Sequence, residues 1–353
     1  MNQFTVEDLK RFQSESLDQK IQRSIAKIGE WYSWNNNNCH VSFSGGKDST
    51  VLADLCAKWC KAIDQPLKLV FVDTGLEYPE IKHHVVDFAQ WLRDRYQIEV
   101  QLEILRPKMR FDEVVKKYGY PVISKEVAHA AYYAKKNSKW AIDCFNGVDK
   151  NGVEYEYRKI RYGKWKGIID LDFRVGARCC GIMKERPLDG TSTYPIVGTM
   201  AQESERRKSA WLKTGCNAFD GSHPMSKPMS FWTEQDVLQY IQYWDIPIAS
   251  VYGEVICADK SGQMRIDGSC GKLCTTGCQR TGCIFCGFGA HLEKGETRYQ
   301  RLKRTHPRQY EYLIGGGEYD ENGRWIPNKK GLGMGHVFDE LNKLYGENFI
   351  RYK

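Results

Sequence analysis

An alternation of apolar strands and amphipathic helices in the first third of the chain constrains the fold most strongly. Residues 39–43 and Leu67–Val72 are short apolar runs typical of buried strands, and residues 98–105 alternate in polarity like a third strand. Between them, apolar residues recur at helical spacing over residues 51–59 and 81–96. This order predicts the α/β class, with an open, mostly parallel, twisted sheet that has helices on both faces.

The first strand and the following helix are joined by a hexapeptide that contains two glycines, Ser44-Gly45-Gly46-Lys47-Asp48-Ser49. Glycines let a phosphate approach the main chain, and the start of a helix offers unpaired N–H groups and the positive end of a dipole. The serine hydroxyls and the Lys47 ammonium add groups that attract an anion. The spacing differs from that of a Walker A motif, and the alternative is a tight turn that binds nothing. We interpret the hexapeptide as a phosphate-binding loop.

Composition is typical of a globular protein. Of the 353 residues, 41% are hydrophobic and 27% are charged, which argues against a disordered, collagen-like or coiled-coil chain. No apolar run approaches the roughly 18 residues of a membrane span, and the first residues lack the apolar core of a signal peptide. We therefore expect a soluble, cytoplasmic protein with no membrane partner. The 52 Lys and Arg residues exceed the 44 Asp and Glu residues by 8, which suits an anionic partner such as a nucleotide or nucleic acid.

The pattern predicts three segments. They are an N-terminal helical segment (1–37), a nucleotide-binding α/β domain (38–250), and a Cys-rich region for a metal or cluster followed by C-terminal helices (251–353). Residues 5–32 of the first segment are expected to be helical. Residues 144–175 mix Gly, aromatic and basic residues, and we interpret them as hairpin-like, within an insertion over residues 140–175. Pro307 is expected to break the helical pattern near the C-terminus.

Several ordered motifs resemble those of one known family. The hexapeptide is similar to the pyrophosphate-binding loop of the N-type ATP pyrophosphatases (the PP-loop superfamily), and the chain as a whole resembles the phosphoadenosine-phosphosulfate (PAPS) reductase family within it. The supporting segments are Val72-Asp73-Thr74-Gly75-Leu76-Glu77-Tyr78-Pro79-Glu80, Cys179-Cys180-Gly181-Ile182-Met183-Lys184 with Pro187-Leu188, Gly198 with Glu203-Ser204 and Arg207, and Lys227-Pro228 with residues 232–237. The resemblance covers roughly residues 38–290 and implies a fold like that of the adenine nucleotide alpha hydrolases.

The resemblance implies an adenine nucleotide, such as ATP, at the carboxyl ends of the strands. It implies that Ser42 and the hexapeptide hold the phosphates, and that Asp73, Thr74 and Gly75 line the nucleoside. Lys47, Asp48, Lys184 and Arg207 are the implied catalytic set, in which Asp48 orients Mg²⁺-bound pyrophosphate and Lys184 and Arg207 neutralise anionic groups. The alternatives are that Asp73 caps a turn and that the two cations are ordinary surface residues.

The chain contains 13 cysteines, a high and odd number that suits free thiols and metal ligation in a reducing compartment. Cys179, Cys180, Cys283 and Cys286 resemble the four ligands of a [4Fe–4S] cluster in the adenylylsulfate-reducing branch of the family, and a zinc site with the same sulfurs is the alternative. Cys278 is a substitute ligand. A second site is possible in principle for three further cysteines, Cys257, Cys270 and Cys274. We expect the others to be buried or incidental thiols.

The chain departs from the sulfonucleotide reductases at one point, because its last cysteine is Cys286 and no nucleophilic cysteine follows. This favours a branch like the DNA-phosphorothioation protein DndC, in which ATP is cleaved to AMP and pyrophosphate and a donor such as a cysteine desulfurase supplies sulfur. One alternative is a PAPS or adenylylsulfate reductase with an internal nucleophile, Cys257 or Cys270. The other is a nucleotide-gated nucleic-acid-binding component without catalysis. The oligomeric state is not predicted.

Two basic runs suit a nucleic-acid acceptor, either DNA or RNA. Their cations are Arg158, Lys159, Arg161, Lys164 and Lys166 in the first run and Arg298, Arg301, Lys303, Arg304 and Arg308 in the second. We interpret the interleaved aromatic residues, Tyr162 and Trp165 in the first run, as stacking platforms for bases. The alternative is a solvated basic face with no ligand.

Overall fold

The computed structural model describes residues 3–191, 193–221, 223–258 and 271–353. The α-helices in these ranges are α1 (Val6–Gln13), α2 (Leu17–Trp34), α3 (Lys47–Ala62), α4 (Pro79–Tyr96), α5 (Phe111–Tyr118), α6 (Lys125–Ala134), α7 (Lys139–Asn146), α8 (Glu156–Tyr162), α9 (Glu205–Thr214), α10 (Glu234–Trp244), α11 (Arg298–Thr305), α12 (Pro307–Ile314) and α13 (Met334–Tyr345). The strands are β1 (Cys39–Ser42), β2 (Leu67–Val72), β3 (Val100–Leu105), β4 (Val122–Ile123), β5 (Tyr194–Ile196), β6 (Asn217–Ala218), β7 (Met225–Ser226), β8 (Val255–Ala258), β9 (Lys272–Thr275), β10 (Gly287–Phe288), β11 (Glu318–Tyr319) and β12 (Trp325–Ile326).

The chain forms two compact units, and the first comprises Met1–Asp73, Glu77–Leu105 and Gly190–Thr281. Its sheet has the strand order β3-β2-β1-β5-β7-β6, in which only β6 pairs antiparallel to its neighbour. In register, Val41 of β1 lies opposite Leu69 of β2, and Cys39 of β1 lies opposite Tyr194 of β5. The predicted α/β class with a mostly parallel sheet is confirmed.

The core of the first unit explains why the apolar runs became strands. Val41, Leu69 and Ile196 from three neighbouring strands are fully buried, as is Leu55 of α3. Burying such side chains contributes roughly 1.5–3 kcal/mol each relative to leaving them exposed.

The residues predicted to be helical, 5–32, form two helices, α1 and α2. The break occurs because Ser16 begins a new capping box, in which its hydroxyl accepts from the backbone N–H of Gln19 and the Gln19 side chain accepts in return. The second helix is fixed deep in the unit, since Lys20 donates to both carboxylate oxygens of Asp236 at 2.8 Å. Asp236 also caps α10, as its motif predicted.

The second unit comprises Thr74–Leu76, Arg106–Asp189 and Gly282–Lys353. Its strands are short: β4 pairs with β10 in parallel and β11 pairs with β12 antiparallel. A π-helical turn over Gly181–Glu185 and a 3₁₀ helix over Gly163–Ile169 supplement the α-helices. The predicted break at Pro307 is confirmed, because this proline is the first residue of α12.

The hairpin-like structure predicted for residues 144–175 was wrong, and the insertion over residues 140–175 remains a prediction. This segment is mainly helical, with α7, α8 and the 3₁₀ helix, and only one isolated bridge joins Val148 to Glu154. The missed signal is the spacing of the aromatic and apolar residues, since Tyr162, Trp165 and Ile168 are buried three residues apart on one helical face.

The three-segment division of the chain at residues 37/38 and 250/251 remains a prediction. The two units of the structure follow packing, and both draw on distant parts of the sequence. None of the helices in the described ranges is long and apolar enough to cross a membrane.

Candidate functional site

The hexapeptide forms the turn between β1 and α3, and its backbone is held by its own side chains. Gly45 has a φ of +70°, and a side chain there would meet Ile81 Cγ2 at 2.8 Å, so glycine is required. The Ser49 hydroxyl donates to the Gly46 carbonyl at 2.9 Å and shares a 3.0 Å hydrogen bond with the Ser44 hydroxyl. Gly46 begins α3 without a side-chain cap. The start of α3 therefore offers backbone donors to an anion.

A cavity of about 310 Å³ opens beside this turn. It lies beyond the carboxyl ends of β1 and β5, where the strand order reverses direction from β3-β2-β1 to β5-β7, which is where open α/β sheets bind ligands. We call it the phosphate cavity; its lining is Ser42, Ser44, Gly46, Lys47, Asp48, Ser49, Val197, Gly198, Thr199, Glu203, Arg207, Tyr252, Arg280 and Thr281. Seven of the predicted site residues are thereby brought together: Ser42, Ser44, Gly46, Lys47, Asp48, Ser49 and Arg207.

Lys47 and Asp48 form a charged pair at the wall of the phosphate cavity. The buried Lys47 ammonium donates to the Gln279 carbonyl at 3.1 Å and lies 3.2 Å from Glu234 Oε1. It lies 3.7 Å from Asp48 Oδ1, a buried oxygen that accepts no hydrogen bond. Burial raises the pKa of Asp48, and the neighbouring Lys47 charge opposes that shift. A cation that binds Asp48 would satisfy this oxygen.

Three further cations approach one another near the same cavity. Arg207 forms an ion pair with Glu203, and Arg280 lies 3.9 Å from the same carboxylate. Burial lowers the pKa of Arg207, and the neighbouring Arg280 lowers it further. Burial and the Arg207 charge likewise lower the pKa of Lys227. An anion bound among these three cations would reduce the repulsion between them.

Tyr252, Arg280 and Thr281 are site residues that the sequence did not reveal. The Lys47 backbone N–H donates to the Tyr252 hydroxyl at 3.2 Å, and this hydroxyl shares a 2.5 Å hydrogen bond with the Thr281 hydroxyl. These residues lie in the segment 251–353, which the sequence predicts to be a Cys-rich region for a metal or cluster. The only available signal was their proximity to the Cys-rich motif, which does not indicate contact with a phosphate loop.

The predicted nucleoside-binding residues do not line the phosphate cavity. Asp73 ends β2 and pairs with Lys82 at 2.5 Å. Thr74 and Gly75 belong to the second unit, where the Thr74 hydroxyl accepts from the Leu76 N–H at 3.2 Å. Their role beside a nucleoside remains a prediction.

Four cysteines of the second unit line one small cavity, which we call the cysteine cavity. Its lining is Leu76, Phe111, Pro121, Cys179, Cys180, Met183, Lys184, Cys283 and Cys286. Cys180 directly precedes the π-helical turn. The Cys286 N–H donates to the Cys283 carbonyl at 3.0 Å, which forms a tight turn, and the Cys286 carbonyl accepts from Arg298 and Tyr299 at 3.0 and 2.9 Å. The structure thus gathers the four predicted ligands from two distant segments.

The electrostatics of the cysteine cavity favour the thiolate of Cys180 and disfavour that of Cys179. A hydrogen bond from Cys179 lowers the pKa of Cys180, and the charges of Lys125 and Lys184 lower it further. The pKa of Cys179 is raised, first by that same hydrogen bond and then by burial. Lys184 thus lines the cysteine cavity, so its predicted role beside the nucleotide is untested. Lys125 was not predicted.

The thiols fit an iron–sulfur cluster in number and chemistry, because four cysteine thiolates are the usual ligands of a [4Fe–4S] cluster. Within the described ranges, no group of three or more His, Cys, Asp or Glu side chains is arranged to hold a single metal ion. In a four-iron cluster each thiolate binds a different iron atom, so the sulfurs stand farther apart than around one ion. The donor set is therefore consistent with a cluster, and zinc remains the alternative.

The remaining cysteines lie elsewhere. Cys278 is buried in the first unit and Cys274 lies on β9 of that unit, whereas Cys257 is disulfide-bonded. Cys270 lies outside the described residues. The roles of Cys278 as substitute ligand and of the other three as a second site remain predictions. The thiols expected to be buried are buried, namely Cys39, Cys56, Cys60, Cys144 and Cys216.

Half of the ten cations in the two basic runs pair with carboxylates. In the first, Arg161 pairs with Glu126 and Lys159 pairs with Glu154. In the second, Glu293 and Glu296 pair with three arginines, Arg298, Arg301 and Arg304. The interleaved rings of Tyr162, Trp165, Tyr299 and Tyr310 are all buried, so they are not exposed stacking platforms.

Comparison with known proteins gives one family match over most of the chain. The family described as the phosphoadenosine phosphosulfate reductase domain matches residues 38–141 and 147–287. Among curated proteins of Methanocaldococcus jannaschii, the uncharacterized protein MJ0973 is 25% identical over 305 residues, which is 86% of this chain and 54% of that protein. The uncharacterized protein MJ0066 is 34% identical over 105 residues, which is 30% of this chain and 20% of that protein. The chain thus spans about half the length of the first relative and a fifth of the second.

Two solved structures share features of the fold. One is the PAPS reductase from Candida auris in a phosphate complex, at 16% identity and a TM-score of 0.35, covering 70% of this chain and 90% of that one. The other is the U34-tRNA thiolase NcsA from Methanococcus maripaludis with its [4Fe-4S] cluster, at 17% identity and a TM-score of 0.33, covering 65% of this chain and 66% of that one. At these scores neither likeness carries weight for the activity of this chain.

Proposed function

Because the chain belongs to the phosphoadenosine phosphosulfate reductase domain family, we propose that it is a PP-loop enzyme that cleaves an adenine nucleotide, ATP, to AMP and pyrophosphate and thereby activates an acceptor for sulfur transfer. The observation that carries this proposal is the Asp48 carboxylate beside Lys47 in the wall of the phosphate cavity, whose Oδ1 atom is buried and accepts no hydrogen bond.

A carboxylate in an anion site needs an explanation. Lys47, Arg207 and Arg280 attract phosphate, whereas Asp48 and Glu203 in the same lining repel it. A divalent cation that travels with the phosphates removes this conflict, since Mg²⁺ is commonly held by one or two carboxylates and by substrate oxygens. The lining therefore suits the substrate MgATP better than a sulfonucleotide without a metal ion. The volume of about 310 Å³ also lies within the range of small-molecule sites.

The reaction divides the work between the loop and the cations. An acceptor oxygen attacks the α-phosphorus, the bond from that phosphorus to the bridging oxygen breaks, and pyrophosphate leaves with the electron pair. The loop hydroxyls, the α3 backbone donors and the Lys47 ammonium stabilise the developing charge on pyrophosphate. A hydrosulfide, delivered by a sulfur donor such as a cysteine desulfurase, then attacks the activated carbon, and AMP leaves with the acceptor oxygen.

Cys179, Cys180, Cys283 and Cys286 would hold a [4Fe–4S] cluster in the second unit, with zinc as the alternative. When bound, such a cluster would supply redox chemistry and a place to carry sulfur. Lys125 and Lys184 would offset the negative charge of the thiolates.

The test is a product assay with ATP and Mg²⁺, in the presence of single-stranded RNA, single-stranded DNA or neither. We expect AMP and pyrophosphate in equal amounts with one of the acceptors. Lys47→Met should lower the rate at which both products form about 10²–10³-fold, whereas Lys61→Met, which changes an exposed lysine at the end of the same helix, should not. Formation of ADP and phosphate, or no product with either acceptor, would contradict the proposal.

The family description favours a second candidate, a PAPS or adenylylsulfate reductase. Sulfite release from either sulfonucleotide with a dithiol reductant would identify it. Sulfite without AMP and pyrophosphate from ATP would replace the first proposal by this one.

A further inference from the structure

We propose that one exposed face of α6, together with Trp140 and Arg178, binds single-stranded nucleic acid and leads it to the cysteine cavity. This inference rests on the proposed function, since it gives the acceptor a chemical class and a binding surface. We call this surface the α6 face; it consists of Lys125, His129, Tyr133, Lys136, Trp140 and Arg178, all in the second unit.

The spacing along α6 places three of these side chains on one side of the helix. Lys125, His129 and Tyr133 follow one another at intervals of four residues, and Lys136 lies two residues beyond the end of the helix. The side chains between them, such as those at positions 127, 128 and 131, are buried. The 10 residues of α6 span about 15 Å, enough to contact several nucleotides of an extended strand.

The α6 face carries a cluster of rings. The ring centroids of His129 and Tyr133 are 4.9 Å apart, and each lies 5.8 Å from the Trp140 ring. Trp140 is 43% exposed and His129 is also exposed, so their faces are accessible to an unpaired base. Stacking of bases on such rings tolerates any sequence, because every base has a π-face.

The cations of the α6 face remain available to phosphates. Over the described ranges, no carboxylate pairs with Lys125, Lys136 or Arg178. Arg178 instead donates to the Tyr133 hydroxyl at 2.8 Å, which fixes it beside the rings. The acidic residue on this helix, Glu126, is already paired with Arg161. The two basic runs differ in this respect, since five of their ten cations pair with carboxylates.

The α6 face leads to the cysteine cavity at one end. The Lys125 side chain hydrogen-bonds the Cys180 side chain. Arg178 directly precedes Cys179 in the chain. A strand whose bases stack on Trp140 and whose phosphates contact Lys125 and Arg178 would therefore end at the four thiols. A duplex cannot use the rings, because its bases are already stacked and paired.

The test is fluorescence anisotropy of the full chain with labelled oligonucleotides of about 12 nucleotides, a length within the site sizes of single-strand-binding folds. The probes are oligo-uridine RNA, oligo-thymidine DNA and a DNA duplex. Trp140→Ala should weaken single-strand binding about tenfold or more, as expected from losing a base stack, and Trp140→Phe should restore most of it. Arg178→Gln should reduce the slope of log K against log salt by about 0.7 per lost phosphate contact.

Tyr243→Ala is the matched control, because Tyr243 is a 74% exposed aromatic residue on α10 of the first unit. It should bind like the unaltered chain. Tighter binding of RNA than DNA, or the reverse, identifies the acceptor. Equal affinity of Trp140→Ala and the unaltered chain, or tighter binding of the duplex, overturns the inference.

The product assay separates this inference from the proposed function. If ATP yields AMP and pyrophosphate while Trp140→Ala binds oligonucleotide normally, the α6 face is wrong and the proposed function stands. If ATP is not cleaved while Trp140→Ala and Arg178→Gln show the expected losses, the α6 face stands and the proposed function fails.

Discussion

The phosphate cavity of the first unit is lined by backbone donors and charged side chains, whereas the cysteine cavity of the second is lined by thiols and apolar side chains. The first is organised by six consecutive residues whose hydroxyls bond their own backbone. The second joins two segments about a hundred residues apart, and the neighbouring cysteines raise the pKa of Cys179. The difference teaches that one site has its shape before any ligand binds, while the other depends on a ligand to hold its thiolates together.

The largest effect is expected for the cysteine cavity. Cys286→Ser should remove bound iron and sulfide, because thiolate ligation of a structural metal contributes on the order of 10 kcal/mol. Cys274→Ser, which alters a free cysteine of the first unit, should leave the metal content unchanged. Metal and sulfide analysis after anaerobic purification measures both, and metal lost with Cys274 instead would move the cluster to other ligands.

A substitution in the phosphate cavity should leave the metal content of the protein unchanged. Lys47→Met should lower the rate of ATP cleavage about 10²–10³-fold, as for the loss of one charge-stabilising donor. Its iron content should match that of the unaltered chain. If both fell together, the two sites would not be independent, and the contrast between them would fail.

Acid should weaken the scaffold of the phosphate cavity. Burial lowers the pKa of His40 on β1 and of His84, which bonds Thr50 of α3 at 3.0 Å, to about 4 each. Both pKa values lie below the ~6.5 that is usual for histidine, so the folded state favours the neutral side chains. Their contribution to the free energy of unfolding is complete above pH ~6.5 and is lost as the pH falls towards ~4, by up to ~3 kcal/mol per histidine. Urea unfolding at several pH values measures this, and His84→Gln should flatten the profile. A steep profile unchanged by that variant would assign the loss to other groups.

The smallest expected effect is the loss of stability when either of two glycines with positive φ, one in each unit, is replaced by alanine. Gly75→Ala meets no atom within 4 Å, so only backbone strain of about 1 kcal/mol is expected. Gly45→Ala also meets Ile81 and Val85 at 2.8 and 2.9 Å, and about 2–3 kcal/mol is expected. The free energy of unfolding in urea measures each change. Equal losses of unfolding free energy in the two variants would show that the loop at Gly45 can shift to accommodate a side chain despite its hydrogen bonds.

The sequence predicted the fold where its signals were local. The strands and helices of residues 39–105 follow from short apolar runs and helical spacing, which depend on neighbouring residues alone. The four candidate cysteine ligands come from the family resemblance. The hairpin-like structure predicted for residues 144–175 was wrong, because the buried aromatic residues there stand at helical spacing.

Residues that join the phosphate cavity from distant loops gave no signal. Tyr252 and Arg280 reach the cavity only because β8 and β9 pair and place their loops beside α3. Lys184 shows the opposite case: a motif predicted a role beside the nucleotide, and the structure places it in the cysteine cavity. Tertiary packing decides which cavity such a side chain lines, and the spacing of residues along the chain does not predict it.

The bare start of α3 at Gly46 has a practical consequence. A small oxyanion seated there would complete the end of the helix just as a serine or aspartate side chain does elsewhere. Sulfate or phosphate in a purification buffer should therefore raise the melting temperature by itself and mask weak nucleotides in a thermal-shift screen. Buffers without sulfate, phosphate or carboxylate anions would leave that helix end open to the true substrate.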